Sequence, residues 1–359
     1  MERKKIYKIL MLILVMQWAF IQILAQYPIF IEKYYSNGLY IYISKFLRLF
    51  LGWIPFSIGD ILLVLFFLFI VKNIYQIIKT KKFNLKDTFF KVGAYISVLF
   101  FFFYLFWGLN YFRVPLKESL DLNAPDYTTE DVKYLTKKLI EKTNKAQVQI
   151  TNSDTIKVTI PYNHKEIYSI ASKSYNHLTT EIFKLKYPKP SIKSSLISTL
   201  QSYMGTGGYI NPLTGEAQVN SLIPKTSTPA ISCHEIAHQV GYAAENEANF
   251  IGFLVAANNS NPYFRYSGYK AALNYSLRDL YLRDSTQFKE LYKNLNKGIL
   301  KDFEDHKKYA KKYQNPIEPY IWKTYNMYLK ANKQKDGVQS YNKMISLLIN
   351  YQKKYPESF

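Results

Sequence analysis

Long apolar runs dominate the first third of the chain, and none of comparable length follows. Residues 9–25, 56–71 and 92–109 are each close to the length a helix needs to cross a hydrocarbon layer. The stretches 62–71 and 98–107 are too continuously apolar for a surface helix, so three membrane-spanning helices are expected. Between the first two runs, residues 39–53 mix aromatic and aliphatic side chains with Lys45 and Arg48. That pattern predicts a helix lying on the outer leaflet, or a short loop helix packed on the spans. Asp60, at the start of the second run, is expected to cap its helix or to make a polar contact with the domain outside.

After residue 112 the periodicity becomes that of a globular domain. Thr128, Thr129, Glu130 and Asp131 open a helix to about residue 145 with a capping pattern. Val148–Ile150 and 157–161 read as short strands, and 165–184 as a helix. From 191 to 223 the pattern turns to β. Residues 195–204 and 216–223 read as strands flanking a turn-rich loop, 205–215. This loop lacks the spacing and following helix of a nucleotide site, and reads as a cleft rim or a plain hairpin loop. Beyond residue 254 the chain reads as helical, with Tyr269, Leu273, Leu277 and Leu280 as core at helical spacing.

Charge fixes the expected orientation. The chain has 359 residues, with 47 Lys+Arg against 26 Asp+Glu and a formal net charge of +21. Arg3, Lys4, Lys5 and Lys8 precede the first run, and Lys72, Lys79, Lys81, Lys82, Lys86 and Lys91 crowd the loop between the second and third. The loop after the first run carries only Lys33, Lys45 and Arg48. The N-terminus and second loop are therefore expected in the cytoplasm. Residues 1–111 then form a membrane anchor and 112–359 an extracytoplasmic, periplasmic domain of a multi-pass inner-membrane protein. With only short loops inside, the positive charge argues for a lipid bilayer as partner and against nucleic acid. The single cysteine, Cys233, rules out an internal disulfide and is expected to be buried.

The chemistry concentrates at His234, Glu235 and His238, an HExxH signature in an apolar helical context that begins near Pro229. Two imidazoles four residues apart on a helix project from one face and can reach one metal ion. The intervening Glu235 is then held beside the metal, placed to take a proton from water. A catalytic zinc site takes three protein ligands and leaves one position open. On one unbroken helix Glu245 would sit about 10 Å along the axis from His238, too far to share the ion. Gly241 can end the helix and let the chain fold back. Glu245 is thus the favoured third ligand, Glu247 the alternative, and Asn249 is placed to orient an imidazole. Tyr266, His306 and Tyr341 are possible oxyanion donors; His164, His177 and His306 fall outside ligand spacing.

Glu245 and Asn249 resemble the glutamate–x-x-x–aspartate element of gluzincin peptidases, with asparagine in place of the aspartate and a shorter gap from the HExxH run. The short gap, with Gly241, is also similar to metzincins. A wider resemblance rests on Trp107, Asn110 and Arg113, on Gly208, Asn211, Gly215 and Glu216, on the HExxH run, on Glu245 to Phe250, and on Gly337 to Tyr341. Together these resemble a bacterial membrane protein family, domain-of-unknown-function family 3810, over nearly the whole chain. The resemblance implies a membrane-anchored, zincin-like protein and leaves the substrate unknown.

The expected fold is mainly α with a small β-sheet, an α+β zincin-like metallopeptidase domain anchored by three N-terminal transmembrane helices. Strands leading into the HExxH helix suit that arrangement, with 216–222 expected as the edge strand against which an extended peptide pairs. The expected function is zinc-dependent hydrolysis of a peptide or protein, with Zn2+ on His234, His238 and Glu245 and Glu235 as general base. The alternative is a zinc-stabilised membrane scaffold or partner-binding module without turnover. Specificity, substrate-binding residues and oligomeric state are not encoded in any pattern here.

Overall fold

The apolar runs become three long helices that alternate in direction. In the computed structural model, which describes residues 2–80, 83–122, 127–177, 187–332, 334 and 340–359, α1 spans Glu2–Leu24. A short α2 (Pro28–Phe30) and a π-helical segment, Ile31–Leu39, lead into α3 (Tyr40–Leu51). Then come α4 (Ile58–Thr80) and α5 (Leu85–Phe106). α1, α4 and α5 are long and apolar enough to cross a membrane, and few of their side chains are buried. Lys4 meets Asp87 at 2.6 Å, so the starts of α1 and α5 share one end of the bundle.

The other end meets the domain. The first turn of α4 donates Gly59 N to the Glu216 carboxylate at 2.6 Å, a negative charge on a helix N-terminus. Glu216 is also paired with Lys193 at 2.5 Å, and both are buried. Asp60 makes the expected polar contact with the domain: it accepts from Leu196 N at 2.7 Å and Ser195 Oγ at 3.0 Å, and from the Tyr209 hydroxyl. A second hydrophobic core, built from Ile21, Tyr35, Tyr40, Trp107, Ile210, Ala243 and Leu329 among others, joins the ends of α1 and α5 to the domain.

A 3-10 turn, Gly108–Phe112, and α6 (Leu116–Ser119) lead into α7 (Thr129–Thr151) and α8 (His164–His177). α7 opens on the expected capping box, Asp131 N donating to Thr128 Oγ1 at 3.2 Å and Thr128 N to Asp131 Oδ2 at 2.9 Å. It runs past 145 to a left-handed stop at Asn152, φ 53°. Residues 148–150 are therefore its last turn and not a strand. The buried face of Leu135, Leu139, Ala146 and Gln147 continues the helical period and outweighs the β preference of Val148 and Ile150. Residues 157–161 form no strand. Of the helix expected over 165–184, residues 178–184 lie outside the described residues.

The sheet has three strands, β1 (Ile192–Ser194), β2 (Gly208–Asn211) and β3 (Glu216–Val219), in the order β1-β3-β2. β1 runs parallel to β3, with Lys193 opposite Gln218, and β2 antiparallel to it, with Tyr209 opposite Gln218. β3 is thus central, not the expected edge; the loop 205–215 supplies the edge strand β2. The segment read as strand 195–204 forms instead α9 (Ser198–Tyr203). Its polar residues Ser198, Gln201 and Ser202 are buried while Leu196, Leu200 and Tyr203 are exposed, an inverted helical pattern that resembles strand alternation in sequence.

α10 (Thr228–Gln239) crosses the sheet and is followed by α11 (Glu245–Ala257), α12 (Pro262–Arg283), α13 (Ser285–Tyr292), α14 (Lys297–Tyr313), α15 (Glu318–Ala331) and α16 (Ser340–Lys354). The main core packs α7, α10, α11, α12 and α16 together; Leu273, Leu277 and Leu280 are buried in it, as their spacing predicts.

Candidate metal centre

Pro229, in the first turn, opens α10 without losing a hydrogen bond that the helix needs. Val240 ends the helix, and Gly241, at φ +101°, turns the chain back. A Cβ there would lie 3.1 Å from Tyr40 Cε1 and 3.3 Å from Asn110 Oδ1, so the turn needs glycine on both counts. The reversal places Glu245, first residue of α11, back beside the imidazoles.

The Nε2 atoms of His234 and His238 are 3.1 Å apart. Glu245 Oε2 lies 3.5 Å from the first and 3.7 Å from the second. Three ligands of a tetrahedral zinc at ordinary bond lengths stand about 3.4 Å from one another. The donor triangle therefore fits such an ion. His238 Nδ1 donates to the Tyr242 carbonyl at 2.7 Å, so in the neutral ring the Nε2 lone pair faces the triangle. Glu235 Oε1 is 4.0 Å from His234 Nε2, and its Oε2 is buried without a hydrogen-bond partner. His234, Glu235 and His238 each bring one donor atom within 4.8 Å of the others.

Electrostatics follow from burial and these neighbours. Burial drives the Glu235 carboxyl up to about 7, with the Glu245 charge adding to it against the pull of the two imidazoles. Burial alone would lower His238, but Glu245 beside it raises it to about 9. Burial would raise Glu245, yet His238 and His234 hold it well below the usual carboxylate range. The cluster is a concentrated, mutually compensated charge set that a divalent cation can replace.

Other predicted residues fall elsewhere. Glu247 turns away: its Oε1 accepts from Leu116 N at 2.7 Å, and burial pushes it up to about 7 despite nearby Arg113. Asn249 bonds neither imidazole. Its Oδ1 accepts from the Tyr275 hydroxyl at 3.5 Å, and the Tyr242 carbonyl takes the orienting role expected of it. The Tyr266 hydroxyl is committed to Asp302, and His306 packs against Tyr309. The side chains of Tyr341 and His177 lie outside the described residues, and His164 packs on Tyr168. Cys233 is buried, and burial pushes its thiol well up.

Sequence reasoning missed the residues that hold the site in place. Tyr325, on α15, donates to Glu245 Oε1 at 2.5 Å. Carbonyls at the end of α10 and in the turn after it take further donors from the segment 40–113. Trp107 Nε1 donates to His238 O at 3.0 Å, Tyr40 and Ser44 to Gln239 O at 2.8 and 3.1 Å, and Arg113 to Gly241 O at 2.8 Å. Gly208 of β2 packs on Glu235, where a Cβ would lie 2.6 Å from Oε1. The close run of Trp107, Asn110 and Arg113 after the third apolar stretch was the available signal.

A family comparison covers both the anchor contacts and the centre, matching residues 35–349. The chain belongs to DUF3810, a family described as protein of unknown function. No curated protein and no solved structure matches it. Within this DUF3810 chain the matched region begins inside the π-helical segment before α3 and runs into α16, so it takes in Tyr40, Trp107, α10, Glu245 and Tyr325.

Proposed function

We propose that the protein is a membrane-anchored zinc metallohydrolase acting as a peptidase. The observation that carries this is the donor triangle of His234, His238 and Glu245, with sides of 3.1, 3.5 and 3.7 Å, beside a buried Glu235 whose Oε2 has no partner. His234, His238 and Glu245 would hold the metal. Zinc, when bound, lowers the pKa of coordinated water towards about 7 and polarises a carbonyl. Glu235, buried beside the donor triangle with Oε2 unpartnered, is placed to exchange a proton with a water held there. It takes the proton of the attacking water and returns it to the leaving amine. The peptide C–N bond breaks, the hydroxyl stays on the acyl carbon, and no further reactant is needed. A purely structural zinc site has no use for that carboxylate.

The orientation is part of the same reading. The starts of α1 and α5 share the end opposite the domain, and this is the lysine-rich end of the sequence. We place it in the cytoplasm and the domain outside the inner membrane.

The test is Glu235→Gln in the full-length protein. Zinc stoichiometry should be unchanged, while processed N-termini seen in wild-type membranes disappear from cells carrying the variant. Identical sets of termini would overturn the catalytic reading and leave a zinc-stabilised scaffold.

A further inference from the structure

We propose that the centre works in the lipid–water boundary and takes polypeptides tethered in the same membrane, cut where they emerge from it. This rests on the peptidase reading above. It follows from where the spans end. Trp107 is the first residue after α5, and its ring lies 6.2 Å from that of His238, whose carbonyl it binds. Trp107 is buried in the core that joins α5 to the domain, so the imidazole sits one ring beyond the end of that span, at the level where the span leaves the hydrocarbon layer. α15 repeats the connection. Tyr328 packs on Phe103 in the outer part of α5, at 6.3 Å between centroids, and Tyr104 of α5 donates to Asn332 at 2.8 Å. Tyr325, on the same α15, reaches Glu245.

Around the centre, α3 and α9 are amphipathic in the inverted sense. α3 holds Tyr40, Ser44 and Arg48 against the protein and exposes Ile41, Phe46, Leu49 and Phe50. α9 does the same with Leu200 and Tyr203, and Leu196, exposed just before it, is tied to the first turn of α4 through Asp60. α15 is amphipathic in the ordinary sense, burying Leu329, but it also exposes Tyr320 and Met327 on the opposite face, beside Lys323 and Thr324. An apolar collar of this extent is not left to water. Its elements are tied to α4 through Asp60 and to α5 through Phe103 and Tyr104, so its occupant is the headgroup–acyl boundary of the bilayer those helices cross. A folded soluble substrate would have to press against that bilayer to reach Glu235. A chain anchored beside the protein presents its first extramembrane residues at the right height and at high effective concentration.

Two readouts on the full-length protein decide it. In liposomes, bimane on Tyr320→Cys or Phe46→Cys should be quenched by phospholipid nitroxides and shielded from aqueous iodide; native Cys233 is buried and stays unlabelled. The reverse pattern at both positions overturns the proposal. In cells, the N-termini lost with Glu235→Gln should lie within about 10 residues of a span or lipidated cysteine, the reach of an extended segment of ~35 Å. Lost termini that map to soluble proteins or far from any anchor overturn the proposal and leave the peptidase reading standing. If no termini are lost from a zinc-loaded variant, the peptidase reading falls and this one with it.

Discussion

Gly252→Ala tests whether the spacing of α10 and α11 sets the metal centre. A Cβ at 252 would stand 2.9 Å from His234 N and 3.0 Å from His234 Cα, backbone atoms that cannot rotate away. Restoring ordinary contact needs a separation of about 0.5 Å between the helices, since close-packed interiors have no slack to absorb it locally. That shift acts directly on the His234–Glu245 distance, now 3.5 Å. Metal–ligand distances tolerate about ±0.2 Å, so the third ligand is strained or lost. Overpacking costs about 1–3 kcal/mol, while alanine gains about 1 kcal/mol over glycine within a helix. Net fold stability should therefore change by no more than about 2 kcal/mol. Zinc affinity is the sensitive quantity, and 1–3 kcal/mol there is a loss of about 5- to 150-fold. Competition titration with a chromophoric chelator on the purified full-length protein measures it. Affinity within twofold of wild type would refute the reasoning.

Further outcomes follow from the same geometry. Glu245→Ala should abolish stoichiometric zinc binding, whereas Glu247→Ala should keep it and lose stability, because Leu116 N loses its partner; metal analysis and thermal unfolding of both variants check this. Lys193→Ala should destabilise by about 3–5 kcal/mol by leaving Glu216 charged and buried; the loss should be smaller in Lys193→Met with Glu216→Gln, as thermal unfolding in detergent would show. Lys270 is buried, and burial lowers it from 10.5 to about 8 against the pull of Asp302. A depressed lysine costs stability below its folded value, and the cost disappears as pH rises towards the unfolded one. Wild type should therefore gain stability relative to Lys270→Met between pH 8 and 10.5, read from paired unfolding curves; a flat difference would contradict this.

What was legible in the chain was what depends on local spacing. The three long apolar helices follow from run length, the opening of α7 from Thr128 and Asp131, and the shared face of His234 and His238 from the helical repeat. Asp60 stood out as a charge at a span end. What was not legible depends on partners distant in sequence. α9 buries serines and exposes leucines, the reverse of the usual rule, so its pattern read as a strand. Val148 and Ile150 read as β until α12 packs along α7. β3 read as an edge because nothing local shows that β1 and β2 flank it. Tyr325 is 80 positions from Glu245, one tyrosine among 33, with no spacing to mark it.

The account stands or falls on the coordination sphere. X-ray absorption on the zinc-loaded full-length protein should show two imidazole nitrogens at about 2.0–2.1 Å and carboxylate oxygen at about 2.0–2.2 Å, with the carboxylate lost in Glu245→Ala and kept in Glu235→Gln. A sulfur shell near about 2.3 Å, or a sphere unchanged by Glu245→Ala, would contradict it.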